Sequence, residues 1–258
     1  MRDDHLVDPV LRPVAVVTGG GRGIGAATVL HLAQTGHDVV VNYHRNQEAA
    51  ERIVQSAQAA GVRAVAVRGD VASEEDVDRL FTIAQETMGA VTGLVNNAGA
   101  TLHIGDLAGT PVAVVREVID VNLLGAILCS RRAAQLMSTS RGGAGGAIVN
   151  VSSAAATLGS PHEYVHYAAA KAGVDALTIG LSKELAGDGI RVNAVAAGVI
   201  RTGIHAAAGA PDRADRAADR VPLGRAGEPQ EIAAAIGWLL GPEATYVTGA
   251  ILRVAGGL

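Results

Sequence analysis

Eight residues, Thr18-Gly19-Gly20-Gly21-Arg22-Gly23-Ile24-Gly25, stand between an apolar run, Val14-Ala15-Val16-Val17, and an Ala/Leu-rich stretch that continues to about Thr35. Glycines packed this densely let a strand turn directly into a helix, because they take backbone angles that a Cβ forbids. They also let the backbone come close to a pyrophosphate, which would meet unpaired N–H groups and the positive end of the helix dipole. A glycine-rich run alone is weak evidence. Between the first strand and first helix of a βαβ unit it limits the fold strongly.

The rest of the chain repeats that alternation. Short apolar strands are expected at Val39-Val40-Val41, Val65-Ala66-Val67, Leu94-Val95, Ile148-Val149-Asn150-Val151, Arg191 to Val195 and Ile251-Leu252-Arg253-Val254. Helices are expected at Gln47 to Ala60, from Ser73, over Pro111 to Thr139, Tyr164 to Leu185 and Pro229 to Leu240. Ser73 with Asp76 three residues on reads as a helix cap, and Pro229 suits a first helical turn. Nearly continuous apolar strands separated by helices describe a parallel sheet covered on both faces. The reading is an α/β fold: a single doubly wound, Rossmann-type domain with a seven-stranded parallel sheet. Residues 1–12 read as a solvated tail and 13–258 as the domain. Residues of about 199–227, polar and without a clear strand, read as a functional insertion.

Composition removes several alternatives. The 21 Lys+Arg against 25 Asp+Glu give a net charge of −4 over 258 residues, without the basic stripe of a nucleic-acid binder. Cys129 is the only cysteine, so neither an internal disulfide nor a Cys-based zinc cluster is available. The charged Met1-Arg2-Asp3-Asp4-His5 start lacks a signal-peptide core, and no run of about 20 apolar residues suggests a membrane span. A cytoplasmic location is the expectation. His162 and His166 have helical spacing but no evident third ligand, so no metal is expected.

Further motifs stand in order along the chain: Asp70-Val71, Asn96-Asn97-Ala98-Gly99, Asn122, Ser152-Ser153, Tyr167-Ala-Ala-Ala-Lys171, and Asn193-Ala194-Val195 before Gly198. With the Thr-Gly-x-x-x-Gly-Ile-Gly loop, they make the sequence from Pro13 to Leu258 resemble the short-chain dehydrogenase/reductase family. The resemblance implies an oxidoreductase that interconverts a carbonyl and a secondary alcohol with a nicotinamide cofactor. It implies Tyr167 as acid/base, Lys171 holding the nicotinamide ribose, a serine bonding the substrate oxygen and Asn122 in a water relay. Ser153 is preferred to Ser152, with one extra residue accepted in the loop containing Pro161-His162-Glu163.

Residue chemistry points the same way. Tyr167 and Lys171, four apart on a helix, share one face. A phenol ordinarily titrates near 10, and a nearby ammonium is expected to lower it toward the range of a general acid/base. Two hydroxyl donors aimed at one oxygen would stabilise negative charge developing there. The resemblance places Gly19, Gly21, Arg22, Gly23, Ile24, Gly25, Asn97, Ala98 and Gly99 along the cofactor, with Asp70 and Val71 at the adenine. A helix-cap role for Asp70 is the rival. Gly198, Ile200 and Thr202 fall near the nicotinamide, although Ala197 stands where the family usually has proline. The second strand ends in Asn42-Tyr43-His44-Arg45 without a carboxylate. Arg45 and Arg22 could pair with a 2′-phosphate, so NADP(H) is expected over NAD(H), with Tyr43 and Arg45 lining that end. A small-molecule substrate is expected against His103, Leu158, Tyr164 and the 199–227 segment. Trp238 is expected in the core or at a subunit interface, and the resemblance implies a homotetramer through the last two apolar segments. An NAD-dependent dehydrogenase is the alternative, and a non-catalytic nucleotide sensor a more distant one.

Overall fold

All seven strands of the sheet run parallel, in the order β3-β2-β1-β4-β5-β6-β7. The computed structural model describes residues 12–207 and 209–258. The expected tail, apart from Arg12, lies outside the described residues. The strands are β1 (Val14–Val17), β2 (Asp38–Tyr43), β3 (Ala64–Arg68), β4 (Val91–Asn96), β5 (Gly146–Ser153), β6 (Ile190–Ala197) and β7 (Ile251–Val254). The helices are α1 (Gly23–Gln34), α2 (Gln47–Ala59), α3 (Glu74–Met88), α4 (Val112–Ile119), α5 (Gly125–Met137), α6 (Ala155–Leu158), α7 (Val165–Glu184), α8 (Ile204–Ala207), α9 (Arg213–Arg216) and α10 (Pro229–Leu240).

Alternation along each strand sends its side chains to two cores. From β1, Ala15 and Val17 join Leu32, Val41, Ile232 and Ile236 on one face. Val14 and Val16 join Leu80, Phe81, Leu94, Met137 and Ile148 on the other. Helices therefore cover both faces, as a parallel sheet requires. Each large side chain removed from water contributes about 1.5–3 kcal/mol. Emptying the space of the fully buried Phe81 with alanine would cost about 3–5 kcal/mol.

Local signals mark the helix starts as expected. Ser73 caps α3, its hydroxyl accepting from the Asp76 N–H at 3.3 Å. Pro229 opens α10 behind a capping box of Glu228 and Glu231. The expected helix over 111–139 is α4 and α5 joined by a π-helical turn at Asp120–Leu124, a feature concentrated at functional sites. Residues 199–227 hold α8, α9 and a single bridge, Ile200 to Gly227.

Strand order reverses between β1 and β4. At that switch point the connections leave the carboxyl ends of the two strands in opposite directions, which opens a crevice where such sheets bind ligands. The glycine loop follows β1 and Asn97-Ala98-Gly99 follows β4, so both motifs enter the same crevice.

Candidate active site

A small lattice of polar groups ties the two crevice loops together. Thr18 Oγ1 accepts from the N–H groups of Asn97 and Ala98 at 2.9 and 3.0 Å. Asn97 Nδ2 donates back to the carbonyls of Thr18 and Gly19 at 2.8 and 3.1 Å. Asn42, at the end of β2, joins from the other side: its Oδ1 accepts from Gly19 N–H at 3.3 Å and its Nδ2 donates to Gly69 O at 3.0 Å. A Cβ on Gly25 would lie 2.3 Å from Gly19 O and 2.4 Å from Asn97 Nδ2, so this turn leaves room only for glycine. Thr18 and Asn42 stand in the sequence motifs without an assigned role. A polar residue inside an otherwise apolar strand was the available signal for Asn42.

The site suits an anionic dinucleotide. Helix α1 begins after Arg22 with no side-chain cap and no acidic residue in its first turn, leaving its first N–H groups without intrahelical partners. Gly23 has φ +54°, and a side chain there would meet Thr202 at 3.3 Å, so the expected nicotinamide-side residue Thr202 lies against the loop. Gly198 passes so close to Ala255 that an added Cβ would fall 2.6 Å from its Cα. Ile200 is buried. At the expected adenosine end, Arg22 and Arg45 are exposed, with Arg45 in a loose 3.8 Å ion pair with Glu117. Tyr43 packs partly against the core. Asp70 Oδ1 accepts from Ala72 N–H at 3.0 Å within the turn before α3, whose cap is Ser73 rather than Asp70. Val71 packs on α5, where only glycine fits at position 125: a Cβ there would sit 2.6 Å from Val71.

Tyr167, Lys171, Ser153 and Asn122 gather beside this crevice. Lys171 Nζ donates to Val151 O at 2.8 Å and lies 5.6 Å from the Tyr167 ring centroid. Asn122, centred in the π turn, donates through Nδ2 to Ala100 O at 2.7 Å and Val118 O at 2.9 Å. Its Oδ1 is buried with no partner. A cavity of about 10 Å³ borders Asn122, Lys171, Thr18 and Asn96, room for one water. Gly99 separates the two catalytic candidates, since a Cβ there would sit 2.8 Å from Asn122 Oδ1 and 3.7 Å from Lys171 Nζ. The two serines diverge. Ser153 Oγ accepts from Ala155 N–H at 3.1 Å and acts to lower the Tyr167 phenol, whereas Ser152 is buried against α7, its hydroxyl 3.5 Å from Lys171 O.

The electrostatics correct one expectation. Lys171 does not bring the phenol down. Burial pushes Tyr167 well above the ordinary phenol value and Tyr164 adds to the effect, while Ser153 and the Arg213 charge oppose it. The same burial pushes Lys171 down to about 8, against the pull of Asp175. Desolvation disfavours whichever form is charged, so Tyr167 holds its proton at neutral pH.

The substrate side has a different make-up. Tyr164 packs edge-on against Tyr167, ring centroids 5.3 Å apart, among Leu102, Ile104, Val114 and Val118. Arg213 of α9 sits 4.9 Å over the Tyr164 ring and pairs with Glu163 at 2.5 Å. Arg220 reaches the same carboxylate at 3.5 Å. Burial works against the Glu163 charge, but the two guanidiniums outweigh it and hold the carboxyl below its usual range. Leu158 is exposed, and His103 lies partly buried beside Gly105. His162 pairs with Asp106 at 2.7 Å, while His166 faces Thr101 O at 3.4 Å, so the two histidines do not converge. Trp238 is 42% exposed on α10, which removes the core option. Glu163 and Arg213, fifty positions apart, escaped the sequence reading; no local pattern joins them.

A glycine-lined dinucleotide crevice beside a buried Tyr-x-x-x-Lys pair defines a nicotinamide-dependent oxidoreductase site. The comparisons agree. The family model described as enoyl-(acyl carrier protein) reductase matches residues 19–258. An uncharacterized oxidoreductase of Escherichia coli, YgfF, is 45% identical over 95% of this chain and 99% of its own. The cis-4-hydroxycyclohexanecarboxylate dehydrogenase of Sinomonas cyclohexanicum is 43% identical over 95% of both chains. A blue fluorescent protein from a metagenomic library, solved in complex with NADPH, superposes with a TM-score of 0.86 at 34% identity, covering 95% of this chain and 97% of that one. The chain belongs to the short-chain dehydrogenase/reductase family and is an oxidoreductase of that class.

Proposed function

We propose that the protein interconverts a ketone and a secondary alcohol with NADP(H), and that Tyr167 gives and takes the proton. The observation that carries this reading is the buried Tyr167 phenol one helical turn from the buried Lys171, whose Nζ lies 5.6 Å from its ring; burial raises the phenol, so it keeps its proton. A phenol that keeps its proton is ready to donate, which favours reduction. Ser153 would offer the second donor to the substrate oxygen, so that the charge developing there meets two hydroxyls. Lys171 would hold the ribose hydroxyls, and Asn122 Oδ1 would hold a water that returns the proton from solvent. When bound, the nicotinamide supplies or accepts the hydride. Gly19, Gly21, Arg22, Gly23, Ile24 and Gly25 would hold the pyrophosphate, Asp70 and Val71 the adenine, and Asn97, Ala98 and Gly99 the adjoining ribose. Gly198, Ile200 and Thr202 would hold the carboxamide end.

Arg45 and Arg22, with no carboxylate at the end of β2, support NADP(H). Glu117, at 3.8 Å from Arg45, favours the second reading, an NAD-dependent dehydrogenase, because it competes with a phosphate for that guanidinium. The exposed Trp238 and Tyr246 support assembly through the α10 and β7 region, as a homotetramer. The test is reduction of a ketone panel, including 4-oxocyclohexanecarboxylate, followed by loss of NADPH or NADH absorbance. Turnover with NADPH that disappears in Tyr167→Phe is expected; an unchanged rate in that variant overturns the assignment.

A further inference from the structure

We propose that Arg213 and Arg220 recognise a carboxylate carried by the substrate, so that the reacting compound is an oxo or hydroxy acid with an apolar carbon skeleton. The proposal rests on the ketone–alcohol chemistry above and goes further by naming the substrate class.

The Arg213 side chain is only 10% exposed, yet its Nε is buried without a hydrogen-bond partner. A buried guanidinium with a missing acceptor is costly, and the one carboxylate that answers it is shared. Glu163 faces both Arg213 and Arg220, leaving one positive charge over. Other arginines of the neighbouring segment have their own carboxylates: Arg201 pairs with Asp215 and Glu228, Arg216 with Asp212, Arg225 with Glu231. Asp106, on the facing loop, is engaged by His162. Beside Tyr164, two guanidiniums therefore share the single carboxylate of Glu163, and Arg213 Nε is left without an acceptor.

Position assigns the surplus to the substrate. Arg213 stacks on Tyr164, and Tyr164 stacks on Tyr167, so the cation stands one ring away from the proton donor. Leu102, Ile104 and Val114, partly buried, pack around the same rings, a surface suited to hydrocarbon. A planar carboxylate matches the guanidinium fork, and Arg220, 67% exposed, is free to follow it.

The experiment compares 4-oxocyclohexanecarboxylate with the neutral 4-methylcyclohexanone on the cofactor-loaded protein. The wild type is expected to favour the acid in kcat/KM by about tenfold or more, and Arg213→Met to lower that ratio by about tenfold. Glu163→Gln removes the competing carboxylate and is expected to raise the ratio severalfold, whereas a merely structural strut would weaken both probes equally. That variant, with Arg220→Met, decides the matter if Arg213→Met fails to fold. A wild-type ratio near one, or a ratio that none of these variants moves, overturns the proposal. Calorimetric binding of both probes to the NADP⁺-loaded protein separates the two readings. Preferential acid binding without turnover overturns the reductase reading alone, and turnover without preference overturns this one alone.

Discussion

The two walls of the site are fastened by different chemistry. On the cofactor side, Thr18, Asn42 and Asn97 bind backbone groups at the ends of three adjacent strands, and Gly25 fits with no space to spare. On the expected substrate side, α9 is held to the residues leading into α7 by one guanidinium–carboxylate pair and a stacked ring. Moving a group in the first wall disturbs the sheet itself. The second can exchange its charged residues while the sheet stays as it is, because surface and lid contacts carry little of the core burial. A fold built this way keeps its redox chemistry constant and leaves the choice of substrate adjustable.

Tyr167, where the walls meet, gives the largest expected effect. Tyr167→Phe should lower turnover by about a thousandfold while cofactor affinity, followed by NADPH fluorescence, stays within about threefold. A comparable loss of cofactor binding would place the residue in the cofactor wall. Ser153→Ala should cost about a hundredfold in kcat. Ser152→Ala should cost about 1 kcal/mol of stability instead, read by denaturant titration; equal effects on rate would dissolve the distinction between the serines. Gly25→Ala should destabilise the protein by about 1–3 kcal/mol and weaken cofactor binding together with stability, since one atom would displace both Gly19 and Asn97. Tolerance of alanine there would mean the cofactor wall is no stiffer than the other.

Two smaller effects sharpen the contrast. Burial lowers Lys171 to about 8 in the folded protein, so between that pH and about 10.4 the unfolded chain binds the proton more tightly. Stability of the cofactor-free protein should therefore rise with pH across this window, the burial penalty being complete below 8. Against Lys171→Met, the wild type should gain ~2 kcal/mol between pH 7.5 and 9.5, measured by denaturant titration at each pH. The raised Tyr167 acts above that window. Least of all, Arg45→Ala should reduce the NADPH-to-NADH ratio of kcat/KM by about tenfold; no change would favour the NAD reading that Glu117 supports.

Much of this was legible in the chain. Val14-Ala15-Val16-Val17 could hardly be anything but a buried strand, and the glycines after it could only turn. Tyr167 and Lys171 fall on one helix face by spacing alone. The π turn around Asn122 was not legible, because no residue type in 120–124 marks a π turn apart from an ordinary helical one. Nor was the pairing of Glu163 with Arg213, since two charges fifty positions apart carry no mark of their contact.

Local spacing and hydrophobic period determined the sheet, the crevice and the order of the motifs, since these depend on neighbours a few residues away. Tertiary structure alone decided that Tyr167 is buried and that two guanidiniums sharing one carboxylate stand at the neighbouring Tyr164. Burial and charge balance at a point sum over side chains from distant parts of the chain, and only folding brings those together.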